Sequence, residues 1–284
     1  MSINIPKYIF LIPYRNREPQ KTHFSIYMKY IMEDYDNTDY EIYFCHQNDN
    51  RPFNRGAIKN IGFISMKQKY PEHYKNIIFV FNDIDTIPAT KNLLDFNTYK
   101  GAIKHYYGFK FTLGGIFSIK GEDFENIGGF PNFWGWGFED KCIYNRAIDN
   151  KLIVDRNNFY KVGDINILHI IDDPTKILTR KDCWRIDENA DTVKNIYKLS
   201  YKISNEKHIS SNQFIIDINY FECSYDVNKE LLYSQNIALY KSVKKEIYYS
   251  EKFNSKISNT QQHINNYFNK NFPQKNKFFR LNRK

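Results

Sequence analysis

The sequence predicts an α/β domain built on a parallel sheet, followed by a mostly helical, basic C-terminal extension. Three observations predict it. Short apolar runs of strand length alternate with stretches of helical periodicity, the pattern of βαβ units with right-handed crossovers. One run, NIIFVF at 76–81, is apolar without interruption, as in strands covered on both faces of a sheet. Beyond about residue 220 the composition turns basic: residues 219–284 hold twelve Lys and Arg against five Asp and Glu, most of the net charge of +9. On this division residues 1–220 form the α/β domain and residues 221–284 the extension.

The elements follow in order. KYIFLIP (7–13) is a short apolar run closed by Pro, and predicts a buried strand. A helix is expected from about Pro19 to Glu33, with Pro in its first turn. YEIYFCH (40–46) is a second strand. NRGAIKNIGFISMKQKY (54–70) spaces Ala57, Ile58, Ile61 and Ile64 along one helix face. The strand at 76–81 runs into NDIDTIP (82–88), and ligands of open α/β sheets bind at the carboxyl ends of strands. LGGIFSIKGEDFENIGGF (113–130) predicts a strand, a turn and a short helix. EDKCIYNRAIDN (139–150) predicts a helix whose first turn carries Glu139 and Asp140, where the helix dipole favours carboxylates. INILHII (165–171) is a further strand, carrying His169, and NKELLYSQNIALYKSVKKEI (228–247) has helical character.

Composition narrows the function classes. A chain of 284 residues is long enough for one large domain or two small ones with a sizeable core. The positive charge favours anionic ligands: nucleic acid, a membrane surface or nucleotide phosphates. Cys45, Cys142, Cys183 and Cys223 are far apart, with no C-x-x-C, so neither a zinc site nor a disulfide framework is indicated and reduced thiols are expected. The N-terminal apolar run is too short for a signal peptide or an anchor, and no stretch of about 18 apolar residues occurs. A soluble, cytoplasmic protein is expected on these grounds.

The chemistry-bearing residues cluster at predicted strand ends. Asp83 and Asp85 flank Ile84; alternate residues of an extended chain point the same way, so both carboxylates can face one cleft and hold a divalent cation. The plainer reading is a solvated turn. His169 on an apolar strand is by default a core histidine, and becomes a metal ligand only if the fold brings it to the acid pair. Arg15, Arg17 and Arg55 suit phosphate oxygens, against ordinary surface charge. In FWGWGFED (133–140), Trp134 and Trp136 precede an acid pair. Aromatic rings can cover the apolar face of a sugar while carboxylates bind its hydroxyls.

Taken together, IPYRNRE (12–18), FNRGAIKNIGF (53–63), FNDIDTIP (81–88), GGIFSI (114–119), GGFPNFWGWGFED (128–140) and NILHI (166–170) resemble the β-1,4-galactosyltransferases in order and spacing. YKLSYKIS and FIIDI, within 197–218, extend the resemblance, which covers about residues 7–218. It implies a GT-A fold, Rossmann-like and typical of transferases that use nucleotide-diphospho-sugars. It further implies an inverting transfer of a hexose, galactose first, from a UDP-sugar to an acceptor hydroxyl with Mn2+. Pro13, Tyr14, Arg15, Arg17, Phe53 and Arg55 would line the uridine and diphosphate site. Asp83, Gly115 and Thr112 would meet the donor sugar, and Asp85, His169 and Asn166 would hold the metal. Trp136 would lie under donor and acceptor, Phe138 and Glu139 would bind the acceptor, and Asp140 would be the catalytic base.

Several positions depart from the resembled pattern. Lys141 replaces the third acid of a Glu-Asp-Asp run, Phe138 replaces a glycine, and Asn166 replaces a methionine metal ligand. An amide oxygen in place of a thioether favours Mg2+ beside Mn2+. Thr112 stands where a bulkier tyrosine favours galactose, so UDP-GalNAc is an alternative donor, as is UDP-glucose; the competing reading is that nearby Tyr106, Tyr107 or Phe109 refills the space. The acceptor is expected to be a glycan, glycoprotein or glycolipid ending in a GlcNAc-, Glc- or Xyl-type sugar, reached through a β-1,4 linkage. The basic tail could make peripheral membrane contact. The rival readings are a nucleic-acid-binding protein and an inactive lectin-like relic. The first is weakened because the charge lies mostly outside the motifs, and the second because Asp85, Asp140 and His169 are all present.

Overall fold

The computed structural model describes residues 4–170, 175–179, 185, 190–205, 211–230 and 232–236. Strand β1 (Tyr8–Tyr14) is buried along its whole length and lies between two parallel neighbours, β2 (Tyr40–Gln47) and β3 (Ile78–Asn82). The crossovers are α1 (Glu18–Ile31) and α2 (Arg55–Lys69), each a helix where the sequence predicts one. Side chains alternate across β1: Ile9 and Leu11 join the core on the α2 face, Phe10 and Ile12 the core on the α1 face.

The chain then continues through β4 (Thr86–Pro88), β5 (Ala102–Gly108), β6 (Ile116–Lys120), α3 (Gly121–Asn126) and α4 (Glu139–Asp149). Next come β7 (Ile153–Asp155), β8 (Tyr160–Lys161), β9 (Ile167–His169), β10 (Thr175–Thr179), β11 (Ile196–Asn205), β12 (Gln213–Cys223) and β13 (Leu232–Asn236). The main sheet runs β11-β12-β2-β1-β3-β6-β5-β7, with β8 also on β5. Its centre is parallel, and β6 is antiparallel to both β3 and β5.

The predicted strands and helices through β9 are all present. One feature is not assigned from the sequence and one differs from the expectation. Residues 213–223 form a strand that inserts beside β2 in parallel register, Ile216 opposite Cys45, where it buries Ile216 and Ile218. The helical reading of 228–247 meets a strand instead at Leu232–Asn236, which pairs with β10. The first compact unit extends through Gln235, so residues 221–235 of the expected extension pack with the domain. Residues 237–284, where the rest of the helical reading falls, lie outside the described residues. Cys45, Cys142 and Cys223 are free thiols, and Cys183 is outside the described set. Among the described residues no helix is long and apolar enough to cross a membrane.

Candidate active site

The site forms where the carboxyl end of β3 meets the first turns of α2 and α4. Asn54 caps α2: its side-chain oxygen accepts from Ala57 N–H at 3.0 Å, and its amide donates to Asn132 carbonyl at 2.9 Å. That cap sets Arg55 as the first helical residue. Helix α4 starts from Phe138, whose φ of 69° turns the chain so that Glu139 and Asp140 enter the first turn. Glu139 Oε2 accepts from Gly137 N–H at 3.1 Å. A methyl group on Gly114 would lie 2.6 Å from Asp140 Oδ2, so the missing side chain there makes room for the carboxylate.

Three carboxylates share two cations. Arg55 Nη1 lies 3.0 Å from Glu139 Oε1 and 3.3 Å from Asp140 Oδ2, and its Nη2 bonds Asp83 Oδ2. Lys59 Nζ lies 3.3 Å from Asp140 Oδ1 and 3.6 Å from Asp83 Oδ1. Burial opposes ionisation of Asp83, but Arg55 and Lys59 outweigh it and hold that carboxyl below the usual range. For Asp140 the balance is reversed. Burial, helped by Glu139 and Asp83, lifts its proton affinity above the ordinary value although Arg55 and Lys59 oppose it. The Asp140 side chain keeps 19% of its surface exposed, so a proton donor can reach it.

Beside this cluster, β4 pairs antiparallel with β9, setting Thr86 opposite His169. His169 Nε2 and Asp85 Oδ2 face each other at 4.0 Å. Two ligands of one cation, each about 2.0–2.2 Å from it, stand about 3 to 4.4 Å apart, so this separation lies within the reach of one ion at its wide end. Tyr107 hydroxyl meets His169 Nδ1 at 3.0 Å, which leaves Nε2 toward Asp85. Burial and the neighbouring Asp83 raise the proton affinity of Asp85, a strain that a cation would relieve. The Asn166 amide nitrogen donates to Asp164 Oδ1 at 2.9 Å, a bond that does not use the amide oxygen, the atom expected to meet a metal. Among the described residues no trio of His, Cys, Asp and Glu gathers for a metal. The fit is therefore to a cation held by Asp85 and His169, with its remaining positions open to ligand oxygens.

The residues expected on the nucleotide side lie at or just after the end of β1 and at the start of α2. Pro13 and Tyr14 end β1, and the Tyr14 ring stacks on His46 with centroids 4.6 Å apart. Arg15 holds Asp49 through its carbonyl and its carboxylate, and Arg17 Nη1 lies 3.5 Å from Asp85 Oδ2. Phe53 carbonyl accepts from Gly135 N–H at 3.1 Å, joining this side to the Trp-Gly segment. Thr112 is buried, and its hydroxyl donates to Phe109 carbonyl at 3.2 Å. Gly115 has φ 72°, and a methyl there would collide with Tyr107 carbonyl.

The two tryptophans separate. Trp136 is 41% exposed, with its backbone N–H on Ile177 carbonyl at 2.6 Å, and it alone offers a ring face. Trp134 is 1% exposed, stacks on Phe221 and donates from Nε1 to Tyr225 carbonyl at 2.7 Å, so it is core rather than floor. Sequence reasoning missed Lys59. A lysine four residues after Arg55 shares its helix face, a spacing that could have flagged Lys59. Tyr107 is expected from sequence only as a side chain that could fill the space beside Thr112, and its bond to His169 left no local signal.

Comparison with known proteins places the chain in a family. Residues 4–101 match the model described as the N-terminal region of glycosyl transferase group 7, and residues 98–170 the one described as the N-terminal domain of galactosyltransferase. β-1,4-Galactosyltransferase 1 of Bos taurus is 33% identical over 165 residues, 54% of this chain and 39% of that protein. Xylosylprotein 4-β-galactosyltransferase of Caenorhabditis elegans is 27% identical over 217 residues, 71% of this chain and 73% of that protein. The chain thus spans well under half the length of the vertebrate relative. A crystal structure of Drosophila β-1,4-galactosyltransferase 7, in complex with manganese, UDP-Gal and xylobiose, superposes with a TM-score of 0.65. It is 24% identical and covers 79% of this chain and 97% of that one, which establishes the GT-A fold. With two consecutive models of one family matched from residue 4 to residue 170, more than half of the sequence, this chain belongs to glycosyltransferase family 7, the family of the β-1,4-galactosyltransferases.

Proposed function

We propose that this protein is an inverting, metal-dependent glycosyltransferase that moves galactose from UDP-galactose to a sugar hydroxyl of a glycan acceptor. The observation that carries the reading is one charged cluster: Asp140 with raised proton affinity, Glu139 beside it on Arg55, and the facing pair Asp85 and His169 next to Asp83. Inversion requires the acceptor hydroxyl to attack the anomeric carbon from the face opposite the leaving UDP. As the new C–O bond forms and the bond to the diphosphate breaks, the hydroxyl proton passes to Asp140. A carboxylate whose proton affinity is raised by burial suits that step. Glu139, fixed by Arg55 and by Gly137 N–H, orients sugar hydroxyls, and Trp136 covers an apolar sugar face.

Mn2+, or Mg2+ given oxygen and imidazole donors, would be held by Asp85 and His169 and would neutralise charge on the diphosphate. Arg15 and Arg17, now engaged by Asp49 and Asp85, lie where phosphate oxygens could take them over. The test is incubation with UDP-galactose, Mn2+ and GlcNAc-, Glc- or Xyl-terminated acceptors, with UDP release and product linkage measured. UDP release with a β-1,4 product is expected, and no release with any of these acceptors would overturn the reading.

Thr112 favours a second donor, UDP-GalNAc. Tyr106 is committed to Asp95 carbonyl and Ser118, and Phe109 stacks on Phe111, which leaves Tyr107, whose ring borders Gly115 and whose hydroxyl meets His169, as the side chain that competes for the room beside Thr112. A pocket that differs only in bulk discriminates by about 1–3 kcal/mol, so both donors should be used. Thr112→Tyr should shift kcat/KM toward galactose; an unchanged ratio would remove Thr112 from donor choice.

A further inference from the structure

We propose that Lys59 is a positioning residue of the transfer, locking the base Asp140 to the donor-side carboxylate Asp83 from beneath the cleft. The inference rests on the reading of Asp140 as the base. Lys59 is 1% exposed, on a helix face that otherwise enters the core. Its ammonium sits 4.5 Å from the centroid of Phe130 and ends between two carboxylates. A buried charge is costly unless it is paired, so a lysine here demands those partners.

The pairing closes into a ring. Arg55 takes Oδ2 of both Asp83 and Asp140, while Lys59 takes Oδ1 of both. Each carboxylate is therefore gripped on both oxygens by two different cations, one helical turn apart. Asp83 Oδ1 is buried without a hydrogen bond, so its contact with Lys59 is what compensates it. Arg55 also carries Glu139, and cannot alone balance three acids. The charged groups facing Asp140 are Arg55 and Lys59 from α2, Asp83 from the turn after β3, and Glu139 from its own helix.

Loss of Lys59 removes one of the two positive charges and frees Oδ1 of both aspartates. Asp140 should then take up a proton at higher pH, because an opposite charge within about 4–6 Å favours the ionised form. The direction follows: transfer requires ionised Asp140, so the acid limb of kcat against pH should move upward.

The experiment measures kcat and donor KM from pH 5.5 to 9 for wild type, Lys59→Met and Lys59→Arg, with near-ultraviolet circular dichroism as the fold check. Lys59→Met should shift the acid limb up by about one pH unit or more, losing most at low pH. Lys59→Arg, which keeps the charge, should retain the wild-type limb even if kcat falls. A Lys59→Met profile that superimposes on wild type would overturn the proposal. If Lys59→Met fails to fold, Lys59→Gln, with donors but no charge, carries the same comparison. The titration of the Asp140 carboxyl carbon by NMR, assigned with Asp140→Asn, separates the two readings. If wild type transfers no sugar, the enzymatic reading fails, while an Asp140 titration unmoved by Lys59→Met or Lys59→Gln would sink the Lys59 proposal on its own.

Discussion

Asp140 and His105 show how burial sets protonation at single residues in this cleft. Asp140→Asn keeps the shape of the side chain but cannot accept the hydroxyl proton. Transfer should fall by roughly 10²- to 10⁴-fold, while UDP affinity stays near wild type, because the lost interaction exists in the transition state. Near-normal turnover would remove Asp140 from the role of base. His105 braces the loop that carries Thr112. Its Nε2 donates to the carbonyls of Tyr107 and Gly114 at 3.0 and 2.9 Å, and Nδ1 accepts from Arg156 at 3.1 Å, so the neutral ring is fully used. Burial foremost pushes its pKa down to about 4. A depressed folded-state pKa gives stability that is complete above the unfolded value, about 6.5, and is lost as pH falls toward 4. The loss amounts to roughly 3 kcal/mol. His105→Gln, which keeps the inward N–H donor, should flatten that part of the stability profile in urea unfolding at pH 7.5 and 4.5. An equal drop in both proteins would place its source elsewhere.

At the scale of elements, the start of α4 is the strained point. Phe138 holds φ 69°, a left-handed conformation that costs a residue with a Cβ about 1–2 kcal/mol. Gly135 and Gly137 beside it also have positive φ, which accounts for the alternation of Trp and Gly: the segment turns repeatedly to present Trp136 and then launch the helix. Phe138→Gly and Phe138→Ala both lose the ring, but only glycine relieves the backbone. Phe138→Gly should therefore be more stable than Phe138→Ala by about 1 kcal/mol in denaturant titration; equal midpoints would show that the strain is absorbed elsewhere. The elements around this point were mostly legible. β1, β2, β3, α1, α2 and α4 announce themselves by apolar runs or helical spacing, and the acid pair falls in the first turn of α4 as its position predicts. β11 and β12 did not, because Tyr197, Lys202, Asp217 and Asn219 alternate polar and apolar character weakly, and pairing with β2 over more than 160 residues leaves no local trace. Lys59 escaped for the opposite reason. Its neighbours Ala57, Ile58 and Ile61 read as core, and only the tertiary meeting with Asp83 and Asp140 explains a lysine among them.

For the molecule as a whole, the question is where the folded domain ends and the basic tail begins. Charge alone puts that boundary near residue 220, but the contacts put it later. Tyr225 carbonyl holds the Trp134 indole at 2.7 Å, and Glu230 Oε2 lies 3.7 Å from Arg185 Nη2. β13 pairs with β10, whose Ile177 carbonyl in turn fixes Trp136. A chain ending at 224 loses the acceptor for a buried indole, the carboxylate opposite a buried guanidinium and the strand behind the exposed tryptophan. An orphaned buried donor costs about 1–3 kcal/mol and a broken buried ion pair about 3–5. That truncation should lower stability by several kcal/mol and reduce transfer more than UDP binding. A chain ending at 236 keeps all three contacts and should match the full-length protein in melting temperature and in transfer to soluble acceptors. The sequence beyond 236 holds eleven Lys and Arg against two Glu, so the basic character is more concentrated there than the earlier boundary suggests. Each such residue near an anionic bilayer is worth about 1 kcal/mol at moderate salt. Full-length protein should therefore sediment with phosphatidylserine vesicles at low salt, be released by high salt, and lose that binding on truncation at 236. Equal activity and melting temperature for the chains ending at 224 and 236 would return the boundary to the charge transition, and indifference of the full-length protein to the vesicles would exclude the membrane as the partner of the tail.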